Sequence, residues 1–275
     1  MLKRTITGAI FVATLVGAII WDISSLVGLF LSINTVGLLE FYKLAGKTDH
    51  KPQAFAGILI GNLIILSVAC HFIPVFEQYS IKLFALAFSI LFFTFILELY
   101  KKHDRPFGNL AYTLLGVVYI SVPFSLIPIV GYTQCDSQEL CYTSERILGI
   151  FFCLWAYDSG AYLSGKFFGK NKLFERISPK KTWEGCIGGG ILSLSAAVLI
   201  SKQFTTFSLT DWQVIAAIVI VAGTFGDLIE SMLKRSVDVK DSGTILPGHG
   251  GILDRFDSFI LAMPFIVTYI LIKGV

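Results

Sequence analysis

The chain has 275 residues, of which 55% are hydrophobic and only 15% are charged, and its formal net charge is +3. Soluble domains carry about 25% charged residues, so this composition excludes a cytosolic globular enzyme, a disordered chain and a disulfide-stapled secreted domain. The charge is also too small and too dispersed for a partner that is a nucleic acid.

Unbroken apolar runs dominate the chain and are long enough to cross a bilayer as helices. Nine such spans are predicted, at residues 5–21, 23–39, 54–76, 83–97, 110–130, 147–163, 186–200, 214–229 and 258–272. The period-2 alternation of a membrane barrel is absent. The first span follows two basic residues as a signal peptide does, but no small-residue cleavage site precedes the second span, so it is interpreted as a retained anchor. The sequence predicts an all-α polytopic transmembrane helix bundle.

The basic residues set the predicted orientation. If the nine spans alternate from a cytosolic N-terminus, eighteen of the 22 Lys and Arg residues fall on the cytosolic side and four on the other. The positive-inside rule favours this arrangement, which places the C-terminus outside. Cys135 and Cys141 then lie in the one outward loop of appreciable length, where they either pair or remain two free thiols.

Polar residues divide the chain into two predicted regions. Residues 1–145 hold five spans and little chemistry, so they are interpreted as a membrane scaffold in which Pro123 and Pro128 kink the fifth span. Residues 146–275 hold four spans and two polar cytosolic loops, at 158–185 and 227–257. Asp158 and Asp227 interrupt apolar runs, which costs about 2.5–3.5 kcal/mol at the bilayer centre and marks functional residues. The alternative is that each carboxylate pairs with a lysine to hold two helices together.

The second loop combines acids, bases and glycines. Asp227, Ser231 and Lys234 share one helix face, although Glu230 and Lys234 are also spaced as an ordinary surface pair. Arg235 and Lys240 follow, and then a turn in which Gly248, Gly250 and Gly251 let backbone amides approach an anion. Asp254 and Asp257 flank Arg255 at the start of the last span. Acidic residues there could instead complement the helix dipole.

The first loop supplies cations. Lys166 and Lys170 alternate with small residues, and Ser178 with Pro179 predicts the start of the seventh helix. Lys180 and Lys181 would then sit at a helix N-terminus, which suits phosphate. The alternative is that these lysines and Trp183 are interfacial anchors. Glycines at 185 and 188–190 predict close helix packing.

Carboxylates without His or Cys partners suit Mg²⁺, which commonly bridges to substrate phosphates. Lysines, arginines and glycine-rich turns suit phosphate oxygens. The residues alone therefore predict metal-dependent phosphate chemistry on a lipid at the cytosolic membrane surface.

Two blocks of sequence resemble the phosphatidate cytidylyltransferase (CDP-diacylglycerol synthase) family. One comprises residues 231–235 (SMLKR), 240–241 (KD) and 249–257 (HGGILDRFD), and it fills every fixed position of the family pattern across 27 residues. The other comprises 158–162 (DSGAY), 165–166 (GK), 169–170 (GK) and 178–185 (SPKKTWEG). The motif resemblance covers roughly residues 146–275, whereas the first half shares only its hydropathy.

The resemblance implies that CTP and phosphatidate react on the cytosolic face of the cytoplasmic membrane to give CDP-diacylglycerol and pyrophosphate. It also implies Mg²⁺, a monovalent cation such as K⁺, and a homodimer in many members. On this basis Asp227, Asp254 and Asp257 are the expected metal ligands, and Lys234, Arg235 and Arg255 are expected to hold phosphates during catalysis. The expected substrate-binding residues are Asp158, Lys166, Lys180, Lys181, Ser231, Lys240, His249, Gly250 and Gly251. Two roles are open for His249: it contacts pyrophosphate, or it only stabilises the glycine-rich turn in which it lies.

Two other functions remain open on the sequence alone. A lipid kinase or another Mg²⁺-dependent lipid-phosphate transferase also uses aspartates at the membrane edge, but the paired KKTW and HGG blocks are not typical of those families. An ion-coupled transporter would use Asp158 and Asp227 as coupling sites. Transporters place such residues near the midplane and carry internal repeats, and neither feature is evident in the sequence.

Overall fold

A computed structural model describes residues 2–134, 140–243 and 250–274 of the chain. Long helices dominate these residues. Their bounds are α1 (Leu2–Trp21), α2 (Ile23–Ala45), α3 (Ala54–Phe72), α4 (Glu77–Lys101), α5 (Pro106–Gly116), α6 (Val122–Ser125), α7 (Ile127–Gly131), α8 (Ser144–Phe168), α9 (Trp183–Gln203), α10 (Leu209–Ser236) and α11 (Leu253–Lys273). The short strands are β1 (Tyr132–Gln134), β2 (Leu140–Tyr142), β3 (Lys172–Phe174) and β4 (Ser178–Thr182).

The described helices confirm the all-α polytopic prediction. Eight of them are long and apolar enough to cross a membrane, when α5 to α7 are counted as one segment over Pro106–Gly131. A shorter apolar helix over Thr5–Trp21 corresponds to the first of the nine predicted spans. Helices suit this role because they satisfy every backbone polar group within the segment itself.

The fifth span is irregular, as its two prolines predict. Between α5 and α6 the chain forms a π-helix over Val117–Ser121. Pro123 and Pro128 occupy the first turns of α6 and α7. Proline lacks a backbone N–H and cannot continue the ladder of hydrogen bonds, so each ring is accommodated where a new helical segment begins.

The described chain forms two compact units. The first comprises residues 1–132 and 236–255. Polar side chains join its helices: the Tyr42 hydroxyl donates to the Thr113 carbonyl at 2.7 Å, and the Asn34 amide donates to Asn62 at 2.9 Å. The ring of Tyr42 lies so close to Gly57 that a Cβ atom there would overlap it. These contacts specify the packing of α2, α3 and α5.

The second unit comprises residues 133–235 and 256–275. Its core includes fully buried Trp212 and the stacked rings of Phe151 and Phe259, whose centroids are 5.1 Å apart. The predicted close packing of the glycine-rich helix is confirmed, because a Cβ atom on Gly189 would come within 2.7 Å of the Tyr157 carbonyl of α8.

The start of the seventh spanning helix differs from the prediction. Residues 178–182 form strand β4, which pairs antiparallel with β3, and the helix begins at Trp183. Its N-cap is Thr182, whose side chain accepts the Gly185 N–H, rather than Ser178. Lys180 and Lys181 therefore lie on a hairpin strand before the helix. A proline in an edge strand is tolerated, so Pro179 is compatible with the pairing of β4 with β3.

The two units are defined by which residues pack together, and their boundaries do not coincide with the predicted division at residue 145. The described residues 236–243 and 250–255 of the second polar loop pack with the N-terminal helices. The predicted division concerns where chemistry is concentrated, and it stays a prediction.

Candidate active site

Three of the predicted carboxylates lie in the second unit. Asp158 lies on α8, Asp227 on α10 and Asp257 in the first turns of α11. Asp257 interacts electrostatically with both of the other carboxylates and with the ammonium of Lys181. The Lys181 nitrogen lies 2.7 Å from Asp227 Oδ2 and donates to the Thr224 carbonyl at 3.2 Å. Three acidic side chains thus share a neighbourhood with one lysine.

Two glycines of α10 bring Asp227 close to Asp257. A Cβ atom on Gly226 would overlap the Asp257 carbonyl oxygen and lie 3.1 Å from the Ser258 Cα. One turn earlier, the Ser258 hydroxyl donates to the Gly223 carbonyl at 3.2 Å. Because α10 presents bare backbone at both positions, α11 approaches closely enough for the two acidic residues to interact.

The β3–β4 hairpin delivers Lys181 to these acids. The Trp183 N–H donates to the Asn171 carbonyl at 3.0 Å. The carboxylate of Glu184 accepts the backbone N–H groups of Lys170 and Asn171 at 3.1 and 3.2 Å. These bonds tie the end of β4 to the residues just before β3. Lys181 is consequently held by a closed turn, and only 21% of its side chain is exposed.

The last turns of α10 carry further predicted site residues. The Ser231 hydroxyl donates to Asp227 Oδ1 at 3.3 Å. Lys234 pairs with Glu230 at 3.0 Å, and the exposed fractions of their side chains are only 10% and 2%. The pair is therefore buried, unlike the ordinary surface pair considered from the sequence. Arg235 is exposed.

Asp254 belongs to the first unit, where it organises the turn that precedes α11. Its Oδ2 atom accepts the Ser242 N–H at 3.0 Å, the Ser242 hydroxyl at 2.9 Å and the Gly251 N–H at 2.8 Å. Gly250 has φ +84°, and a Cβ atom there would lie 2.7 Å from the same oxygen. Gly250 thus allows this carboxylate to fold back over the turn, and Gly248 lies outside the described residues.

Glu40 is a residue of this turn that the sequence reasoning missed. It lies on α2, is 3% exposed, and accepts the N–H groups of Ile252 and Leu253 at 3.1 and 3.0 Å. Glu40 directly follows the predicted span 23–39, whereas the observed helix α2 continues to Ala45 and encloses it. An acidic residue at the end of an apolar run was the available clue.

The remaining predicted residues are either exposed or lie outside the described ranges. His249 lies outside the described residues. The side chains of Lys166, Lys180, Lys240 and Arg255 are exposed. Among residues 2–134, 140–243 and 250–274, no three His, Cys, Asp or Glu side chains are placed to hold a metal ion together. The predicted ligand set of Asp227, Asp254 and Asp257 therefore stays a prediction.

The sequence as a whole is similar to known proteins. Residues 2–273 match the family model described as the cytidylyltransferase family. The chain belongs to the cytidylyltransferase family. This membership extends through the N-terminal half, which the motifs alone did not cover.

Named relatives of this cytidylyltransferase-family chain occur in staphylococci. A protein of Staphylococcus aureus (strain COL) named phosphatidate cytidylyltransferase is 37% identical over 243 residues, which cover 86% of this chain and 88% of that protein. A protein of the same name from Staphylococcus saprophyticus is 40% identical over 185 residues, or 66% of each chain.

Proposed function

We propose that this chain is an integral membrane phosphatidate cytidylyltransferase, which converts CTP and phosphatidate into CDP-diacylglycerol and pyrophosphate. The observation that carries the proposal is the ion pair of Lys181 with Asp227, in a chain whose helices are long and apolar enough to span a membrane. Asp257 lies within electrostatic range of that pair and of Asp158. Family membership and the names of the relatives support the same activity.

The proposed reaction is an in-line displacement at the α-phosphorus of CTP. An oxygen of the phosphatidate phosphate forms the new P–O bond while the bond to the β-phosphate breaks, and pyrophosphate leaves with that electron pair. A phosphate monoester has a second pKa of about 6, so it is largely dianionic at neutral pH and needs no strong general base. The main obstacle is repulsion between two polyanions, which positive charge and precise positioning relieve.

Lys181 is the best-positioned cation for this task. Its ammonium group has two fixed partners, Asp227 and the Thr224 carbonyl, which hold it in one place. Exposed Lys166, Lys180, Arg235, Lys240 and Arg255 are proposed to attract and hold the phosphates of CTP and phosphatidate. Lys234 is proposed to act from within its buried pair with Glu230. His249 is proposed to contact the leaving pyrophosphate.

The acidic cluster fits a hard divalent cation. Asp227 pairs with Lys181, and Asp257 lies within electrostatic range of Asp158, Asp227 and Lys181. Carboxylate oxygens are the ligands that Mg²⁺ prefers. Mg²⁺ commonly uses only one or two carboxylates together with substrate phosphates, so Asp227 and Asp257 would hold it without a complete protein cage. Asp254 is the predicted third ligand. When bound, the ion would neutralise phosphate charge; K⁺ is proposed as a second, monovalent cofactor.

The proposed location is the cytoplasmic membrane, with the site facing the cytosol. The positive-inside count supports this orientation. Cys141 is disulfide-bonded, which suits the non-cytosolic side, whereas Cys135 lies outside the described residues.

Cys70, Cys153 and Cys186 are free thiols. A homodimer, and the absence of a nucleic-acid partner, stay predictions.

The test is an assay of purified protein in detergent with radiolabelled CTP and phosphatidate. Labelled CDP-diacylglycerol should form with Mg²⁺ and disappear when EDTA is added. Asp254→Asn should abolish turnover while the protein remains folded. Product from ATP and diacylglycerol instead would identify a lipid kinase, and no product from either pair would refute the proposed function.

A further inference from the structure

A buried carboxylate of the N-terminal half closes the turn that carries Asp254. Glu40 lies in the last third of α2, in the same compact unit as the turn itself. Its Oε1 atom accepts the Ile252 N–H, and its Oε2 atom accepts the Leu253 N–H. Leu253 is the first residue of α11 and Ile252 directly precedes it, so Glu40 satisfies donors at a helix start that the helix itself leaves without partners.

The sequence around the turn is matched to this side chain. A Cβ atom on Gly243 would overlap Glu40 Oε1, and one on Gly251 would lie 2.5 Å from Glu40 Oε2. The two glycines therefore leave the space that the carboxylate occupies. They lie about 200 residues from Glu40 in the chain and within the block that carries the family pattern.

Ser242 connects Glu40 to Asp254. Its hydroxyl lies 3.3 Å from Glu40 Oε2 and 2.9 Å from Asp254 Oδ2, and its N–H donates to the same Asp254 oxygen. Ser242 is itself 4% exposed. Any movement of Glu40 would therefore move both the start of α11 and the serine that fixes the Asp254 carboxylate.

We propose that Glu40 is a positioning residue for cytidylyl transfer, which fixes the orientation of Asp254 through Ser242 and the first amides of α11. The inference rests on the proposed function, because Asp254 is assigned there to metal binding. Glu40 acts through these protein groups and not by contact with a substrate. It gives the N-terminal half a part in the reaction that hydropathy alone did not suggest.

Glu40→Gln tests this role with little change in volume. Both carboxylate oxygens accept backbone N–H groups, so either orientation of an amide would place an NH₂ group against a donor. Loss of a residue that orients a metal ligand typically costs about 10–100-fold in activity or metal affinity. We expect kcat per folded protein to fall by that factor. In the absence of substrate, the Mg²⁺ concentration that gives half of the Mg²⁺-induced thermal shift should rise in parallel.

Glu98→Gln is the matched control. Glu98 is also a buried carboxylate of the first unit, but it accepts bonds from Gln53, His103 and Asn109 rather than from the α11 turn. This substitution should lower the thermal midpoint while kcat per folded protein and the Mg²⁺ response stay at wild-type values. A purely structural role for Glu40 would give the same pattern in Glu40→Gln and would overturn the proposal.

Ser242→Ala provides a second, milder variant. It removes the hydroxyl between the two carboxylates and keeps the hydrogen bonds that the Ile252 and Leu253 N–H groups donate to Glu40. We expect a smaller change in the same two measurements, and no change in either would also overturn the proposal, even if Glu40→Gln fails to fold. The thermal shift needs no catalysis. If wild-type protein made no CDP-diacylglycerol but the shift changed as expected, the proposed function would fail while the positioning of Asp254 stood.

Discussion

The ammonium nitrogen of Lys181 lies 2.7 Å from Oδ2 of Asp227. The two residues come from a hairpin strand and a long helix, 46 positions apart in the sequence. Asp257 lies within electrostatic range of both residues and of Asp158. The pair therefore fixes one ammonium group beside further acidic side chains.

Lys181→Met should remove the fixed cation and reduce kcat/KM for CTP by about 10²–10³-fold, the usual effect of losing one preorganised group that stabilises developing charge. Steady-state assays with varied CTP would measure this. Lys172→Met is the matched control, because Lys172 is exposed on the partner strand of the same hairpin and should leave kcat/KM unchanged. Equal losses in both variants would show that the hairpin matters only as a structural element.

Gly226→Ala should separate the two helices that bear Asp227 and Asp257. A methyl group there would overlap backbone atoms of Asp257, which cannot rotate away, and overpacking of this kind costs about 1–3 kcal/mol. We expect a lower thermal midpoint together with weaker Mg²⁺-dependent activity. Gly190→Ala is the comparison, since its methyl group would meet only the Ile220 side chain at 3.4 Å. Wild-type Mg²⁺ dependence in Gly226→Ala would contradict the proposed metal site.

Two aspartates of α10 should respond differently to replacement by asparagine. Asp227→Asn should abolish turnover with little change in folding, because it removes charge from the proposed metal site. Asp211, near the start of the same helix, instead binds Ser208, Tyr269 and Lys273. Asp211→Asn should lower the thermal midpoint and leave kcat per folded protein near the wild-type value. The two measurements on each variant separate chemistry from stability.

Thiol labelling tests the proposed orientation. Lys82→Cys and Lys172→Cys each place a thiol at an exposed position, the first predicted outside and the second in the cytosol. In right-side-out membrane vesicles, an impermeant maleimide should label the first variant directly and the second only after lysis. The parent protein corrects for labelling of the native free cysteines. The reverse pattern would invert the topology and place the acidic cluster outside.

The fold was largely predictable because a bilayer requires long apolar helices. The residues at which these helices begin and end were not predictable. The predicted sixth span, 147–163, lies within α8 (Ser144–Phe168), and the eighth, 214–229, within α10 (Leu209–Ser236). Hydropathy identifies only the apolar part of a helix, whereas backbone hydrogen bonds continue into polar turns at each end. Ser178 and Pro179 predicted a helix start that the structure does not show. The pairing of β4 with β3 depends on residues outside that motif, so the motif alone could not indicate a strand.

The candidate site was predictable where charge interrupts an apolar run. Asp227 pairs with Lys181, and Asp257 lies within electrostatic range of both, but their assignment as site residues stays a prediction. Glu40 was missed because its meaning depends on a turn 212 residues away, and no local periodicity reports such a contact. Lys234 shows the same limit, since i, i+4 spacing with Glu230 fits a surface pair and a buried pair equally well.

The pairing of residues 236–255 with the N-terminal helices has a consequence for biosynthesis. Chains emerge from the ribosome N-terminus first, so α1 to α5 reach the membrane long before the segment that completes their unit has been translated. During that interval the Glu40 carboxylate lacks the amides of Ile252 and Leu253. A nascent chain that terminates before these residues leaves the acid of an apolar helix without the two donors that satisfy it in the complete unit.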